Sequence, residues 1–204
     1  MTGIVGTKIG MTQVFTEDGT AVPVTVIEAG PCPVTAVRDP ERDGYAAVQL
    51  AHGEVEERRL NKAELGHLKK ASAAPMRTLV EFRGSSEHRI GDVVTVEAFE
   101  PGQKVKVSGV SVGKGFQGTI RRHNFSRGPV THGSRNVRAP GSIGASADPA
   151  RVFKGTRMPG RMGGGRVTQR HCEVVEIDAE RNLLLIKGPV PGPRNATVEV
   201  RSDG

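Results

Sequence analysis

The chain has 204 residues, 36% of them hydrophobic, with 29 Lys and Arg against 22 Asp and Glu, and no Trp. That allows one core-bearing domain, or one domain with a large insertion, and the net charge of +7 points to a polyanionic partner. Cys32 and Cys172 have no metal-ligand spacing and form no disulfide framework, no apolar run is long enough to span a membrane, and the opening MTGIVGTKIGMTQ lacks an apolar signal core. A soluble, cytosolic protein without metal or cofactor is expected. In chain order, residues 3–14 and 20–28 are rich in Val, Ile and Thr and flank a turn at Glu17-Asp18-Gly19, which predicts a β-hairpin. Pro31-Cys32-Pro33 is expected to end the second strand. Val34–Arg38 and Tyr45–Leu50 read as strands around Asp39-Pro40 and Asp43-Gly44. Asn61 with Glu64 three residues on has the form of a capping box, so a short helix is predicted over Lys62–Ser72, inside a small insertion around 60–75. Thr78–Phe82, Asp92–Phe99 and Lys104–Val112 alternate like strands. Regular structure then lapses, apart from a turn of helix near Thr119–His123, and resumes at Val167. Glu173–Asp178, Asn182–Lys187 and Thr197–Arg201 read as closing strands, with Pro189–Pro193 as a stiff connector. Many short strands with turn punctuation predict a mainly β fold built on a closed antiparallel barrel.

The charge is unevenly placed. Residues 101–171 hold fourteen of the Lys and Arg but one acid, Asp148, so the remainder of the chain is net acidic. The same stretch holds fourteen of the 27 Gly, and from Phe116 to Arg166 its apolar residues are sparse and show no sustained period. Such a segment cannot bury enough surface alone to offset the entropy of ordering it, so it is either a solvated loop or ordered by something outside the chain. A solvated loop normally mixes its signs, whereas this one is nearly single-signed. Ten of the eleven Lys and Arg among Arg121, Arg122, Arg127, Arg135, Arg138, Arg151, Lys154, Arg157, Arg161, Arg166 and Arg170 are Arg. The planar guanidinium suits phosphate and base edges. His123, His132 and His171 have no carboxylate or Cys at ligand spacing and read as phosphate or 2′-hydroxyl contacts. Interleaved Gly and Pro favour a path along folded RNA over a helix in a groove. The scarcity of aromatics argues against single-strand binding by stacking.

Gly113-Lys114-Gly115-Phe116-Gln117-Gly118 matches G-x-G-x-x-G literally. A dinucleotide site needs a long helix after those glycines, and the run from Thr119 to Pro129 is too short and broken to form one. Glycines around Lys114 instead let backbone approach a phosphate chain closely. No G-x-S-x-G, no Walker sequence and no acid/base pair is present. A small nucleotide-binding enzyme using Gly113–Gly118 is the competing reading, and a nucleotide screen separates it from an RNA-binding protein.

The residues also carry a resemblance. Gly3-Ile4-Val5-Gly6-Thr7-Lys8-Ile9-Gly10-Met11-Thr12, Asp43-Gly44-Tyr45, Gly109-Val110-Ser111-Val112-Gly113-Lys114-Gly115-Phe116-Gln117-Gly118 and Arg122 stand in order along the chain. Thr131-His132-Gly133, Pro140-Gly141-Ser142-Ile143-Gly144, Arg151-Val152-Phe153-Lys154-Gly155, Arg161-Met162-Gly163 and Leu184-Leu185-Ile186-Lys187-Gly188 come after them. Across essentially its whole length the sequence resembles the bacterial form of the universal large-subunit ribosomal protein L3 family. The resemblance implies a translation-factor type barrel over 1–115 and 166–204, and a basic loop over 116–165 that penetrates 23S rRNA. It implies early assembly into the large subunit, neighbouring ribosomal proteins as partners, a cytoplasmic ribosomal location, and no small-molecule substrate, membrane or enzymatic role. Lys8 and Lys114 join the rRNA contacts on this basis, and Gly141, Ser142, Ile143, Gly144, Ala145 and Ser146 form the loop tip near the peptidyl transferase centre. Lys106 stands where the family signature usually has Asp or Asn. Ala145 stands where many members have a Gln that some bacteria methylate, so that modification is not expected here.

Overall fold

A computed structural model of the chain describes residues 3–84 and 88–203. It divides into two compact units, one running to Ser111 and resuming at Arg166, the other Val112–Gly165. The strands in chain order are β1 (Gly3–Phe15), β2 (Ala21–Ala29), β3 (Cys32–Arg38), β4 (Ala47–Glu54), β5 (Met76–Arg83), β6 (Val93–Val94) and β7 (Lys104–Val110). After them come β8 (Phe116–Gln117), β9 (Gly160–Arg161), β10 (Arg166–Asp178), β11 (Leu183–Lys187) and β12 (Thr197–Ser202). Three short helices are α1 (Pro40–Asp43), α2 (Lys62–Lys70) and α3 (Thr119–His123).

Six strands close an antiparallel barrel in the order β1-β12-β7-β10-β11-β2. Alternation dictates which side chains point inward. Val105 and Val107 of β7, Leu184 and Ile186 of β11, and Val198 and Val200 of β12 are all fully buried, with less buried neighbours between most of them. Each such side chain contributes about 1.5–3 kcal/mol on burial. A second sheet, β5-β4-β3-β6, lies against the barrel. Its Val34, Leu50 and Phe82 join Ile4, Ile27, Val107 and Ile186 in one continuous core. Gly3 is required where the Phe82 ring occupies the space a Cβ would fill. α2 begins at the expected capping box: Asn61 Oδ1 accepts from the Glu64 N–H at 2.8 Å, and Glu64 Oε2 accepts from the Asn61 N–H at 2.9 Å. It buries Leu68 against Ala51 and Met76.

Four expectations are corrected. Pro31-Cys32-Pro33 does not simply close the second strand, because Cys32 and Pro33 already belong to β3 and pair with Val94 and Val93 of β6. Tyr45 lies before β4, which starts at Ala47 and runs on to Glu54. Asp92–Phe99 is not one strand: β6 keeps two residues, and Val96–Ala98 coil into a 3₁₀ turn that drops Val96 and Phe99 into the core. The closing part of the sheet starts earlier than Glu173, since β10 is thirteen residues long and begins at Arg166. Its regular alternation is broken where the register to β7 shifts between Gln169 and Cys172 and His171 adopts φ +55°.

Candidate nucleic-acid interface

Val110 of β7 and Arg166 of β10 are cross-strand partners. The unit Val112–Gly165 is therefore the connection of an antiparallel strand pair, far longer than a turn requires. Its own skeleton starts with the Lys114 N–H donating to Met162 O at 2.8 Å and the Met162 N–H to Gly115 O at 2.9 Å. β8 and β9 continue that ladder through Phe116 and Arg161. Gly115 takes φ +68°, a left-handed conformation that favours glycine, which answers the G-x-G-x-x-G pattern without a nucleotide. α3 is only five residues long and ends at Asn124 in the left-handed region, so no dinucleotide helix follows the glycines.

Two of the candidate contacts turn inward. Arg122 Nη1 donates to Met158 O at 2.7 Å, and His123 Nε2 lies 3.0 Å from the same carbonyl. Both residues are half-buried. A Cβ on Gly160 would stand 2.6 Å from Arg122 Nη1, so that glycine makes room for the clamp. Further along, the Gly128 N–H donates to Val137 O at 2.8 Å and closes the loop that carries His132 and Arg135. The segment Gly141–Ser146 is exposed throughout, with Ser142 Oγ donating to Gly144 O at 3.0 Å.

The remaining cations of this unit face solvent. Lys114, Arg121, Arg127, Arg135, Arg138, Arg151, Lys154, Arg157 and Arg161 are all exposed, as is His132. The salt bridges among the described residues all lie in the other unit. These nine charges thus repel one another with Asp148 as the one local acid.

The other candidates sit in the barrel unit and are engaged there. Lys8 Nζ donates to Val190 O at 2.8 Å and to Gly192 O at 2.9 Å, which ties the Pro-rich connector to β1. Arg166 Nη2 shares the Glu199 carboxylate with Arg201, at 2.5 and 3.0 Å. At the β10 bulge the His171 N–H, its ring and Arg170 converge on the buried carboxylate of Asp203. The donation from the His171 backbone, and then the nearby cations, hold that carboxyl below the usual range. Nothing in the local sequence singles out Phe116 and Phe153, which are exposed at 77% and 59%. Among the described residues no group of three His, Cys, Asp or Glu could hold a metal. Cys32 donates to Val5 O at 3.2 Å, and burial pushes its thiol up to about 11, so it is an inert core residue.

Residues 78–182, from β5 to the turn before β11, match the family model described as Ribosomal protein L3. The chain belongs to the ribosomal protein L3 family. Curated L3 relatives named large ribosomal subunit protein uL3 align along nearly the full chain. That of Thermosynechococcus vestitus is 54% identical over 97% of this chain and 94% of its own length. That of Gloeothece citriformis is 55% identical over 93% and 91%. That of Acidothermus cellulolyticus is 55% identical over 98% and 91%. The match to the L3 model includes the whole basic unit Val112–Gly165.

Proposed function

We propose that this chain binds large-subunit 23S rRNA directly through Val112–Gly165, joins the particle early in assembly, and carries Gly141–Ser146 towards the peptidyl transferase centre. As an L3 protein it is a structural constituent of the large ribosomal subunit in the cytoplasmic ribosome, and not an enzyme. The observation that carries the direct rRNA contact is the set of nine exposed cations on a unit with a single acid. Polyanionic phosphates relieve that repulsion and supply acceptors for the guanidinium forks. The barrel side works as the fixed base, with its own core and its own ion pairs, and the basic unit as the arm that the RNA holds. Neighbouring large-subunit proteins are the partners for the remaining, acidic surface. Within the arm, Arg122 and His123 shape the base of the contact surface, while the nine exposed cations contact phosphate. The test is chemical footprinting of full-length protein on 23S rRNA, beside a protein in which residues 112–165 are replaced by a short turn. Protections that vanish with the arm are the expected result. Identical footprints from both proteins would overturn the assignment to the arm.

A further inference from the structure

The arm holds a group of side chains with a more particular geometry than a field of charges. Phe153 is 59% exposed, in a chain whose Phe82 and Phe99 are buried in the core. The Arg151 guanidinium carbon stands 5.4 Å from the centre of its ring. Arg151 stands over one face of a ring that stays largely exposed, which leaves the other face for a ligand. The backbone beneath is fixed as well. Phe153 O accepts from the Thr156 N–H at 3.3 Å and from Thr156 Oγ1 at 2.8 Å, and Gly155 takes φ +84° as the third residue of the resulting turn. Lys154 therefore stands at the apex of a closed turn, next to Phe153 in the chain.

Leaving an aromatic face open to water costs hydrophobic free energy, and the rest of this unit offers little apolar surface to cover it. A flat π-surface, backed by a guanidinium and flanked by an ammonium, fits one ligand class well: an unstacked nucleobase with its own phosphates. The base stacks on the free face of Phe153, and Arg151 and Lys154 take the adjoining phosphates. We infer that Phe153, Arg151 and Lys154 form a seat for a single unpaired nucleotide of the rRNA. The inference rests on the RNA-binding reading of the arm and gives that arm one site of base contact among its phosphate contacts.

The chain has no Trp, so Phe153→Trp introduces a unique fluorophore at the seat. Full-length Phe153→Trp protein is titrated with 23S rRNA, and binding is followed separately by filter retention. Strong quenching of the Trp emission on binding is expected, as stacking on a base produces. Phe153→Leu should weaken retention by about 5- to 150-fold, the span that the loss of one base–aromatic stack gives, while Phe153→Tyr keeps it. Normal retention with unquenched or blue-shifted emission would overturn the seat and leave RNA binding standing. Retention by Phe153→Leu equal to the parent would overturn it too. Absence of retention for the parent chain itself would overturn the RNA-binding reading on which the seat depends.

Discussion

Salt dependence tests the proposed RNA contact, because it separates the exposed cations of Val112–Gly165 from cations already engaged within the protein. For each phosphate neutralised, log K falls with log salt with a slope of about −0.7 on single strands to −0.9 on duplex. Nine exposed cations in Val112–Gly165 give a total slope of about −6 to −8. Between about 50 and 200 mM salt, affinity for 23S rRNA then falls by roughly 10⁴–10⁵-fold. Replacing Arg138 or Arg151 by Ala should lower the slope by about 0.7–0.9 and leave thermal stability unchanged. Lys8→Met behaves oppositely. It removes two charge-assisted hydrogen bonds to Val190 and Gly192, each worth about 1.5–3 kcal/mol, so the barrel loses stability while the slope stays near the parent value. Arg122→Met should likewise leave the slope, and instead loosen the clamp on Met158. The assay is filter binding over a series of salt concentrations, with a melting curve for each variant. A flat response of the parent chain, or a slope loss from Lys8→Met equal to that from Arg138→Ala, would refute this division of the cations.

Other expectations come from the fold. Replacing residues 112–165 by a short turn should leave one cooperative unfolding transition, because Val110 and Arg166 are already paired and the barrel core lies outside the cut; a broad, non-cooperative melt would show the core to be misplaced. Gly6→Ala should cost about 1–3 kcal/mol, since its Cβ would stand 2.6 Å from Glu28 O and 2.7 Å from Ile27 Cγ2, and denaturant titration reads it directly. His52 is buried, with its ring nitrogen 3.0 Å from Thr7 Oγ1, and burial holds its pKa below the ordinary value of about 6.5. The unfolded chain therefore takes up the proton first, so this contribution to stability is complete above about pH 6.5 and is lost as the pH falls below it. A urea midpoint that drops between about pH 7.5 and 5, and drops less in His52→Gln, is the expected pair of results; a midpoint that rises on acidification would reverse the sign. In hydrogen exchange, amides of 126–157 should exchange rapidly in the free protein and become protected in the assembled subunit, and strong protection in the free protein would mean that the arm orders itself.

Much of the barrel was legible because its signals are local. Asn61 and Glu64 specify the start of α2 by side chains three residues apart, and alternation in Lys104–Val110 and Leu183–Lys187 marks inward faces directly. β10 was legible only in part, because Arg166–His171 are all exposed and the register shift at Arg170–His171 separates them from the alternating stretch that starts at Cys172. The strand reading of Asp92–Phe99 failed for the converse reason: only Val93 and Val94 pair in a ladder, and Val96 and Phe99 are buried through a 3₁₀ turn, which preserves apolar spacing without one. Charge made the arm conspicuous. It could not tell Arg122, clamped on Met158, from Arg121 next to it, because the carbonyl that decides between them lies 36 residues away. Lys8 is the same case over a separation of 182.

Barrel closure has a temporal consequence. β1 closes on β12, with Gly3 opposite Arg201, and β7 finds both its partners, β10 and β12, only beyond the arm. Contacts of such sequence separation form slowly, and until they form the hydrogen-bonding edges of β1 and β7 stay open to other chains. On a growing polypeptide, the arm is made during that same interval. Its like charges then keep incomplete chains apart, so the charge on which the proposed RNA contact rests also guards the unfinished chain against edge-to-edge aggregation.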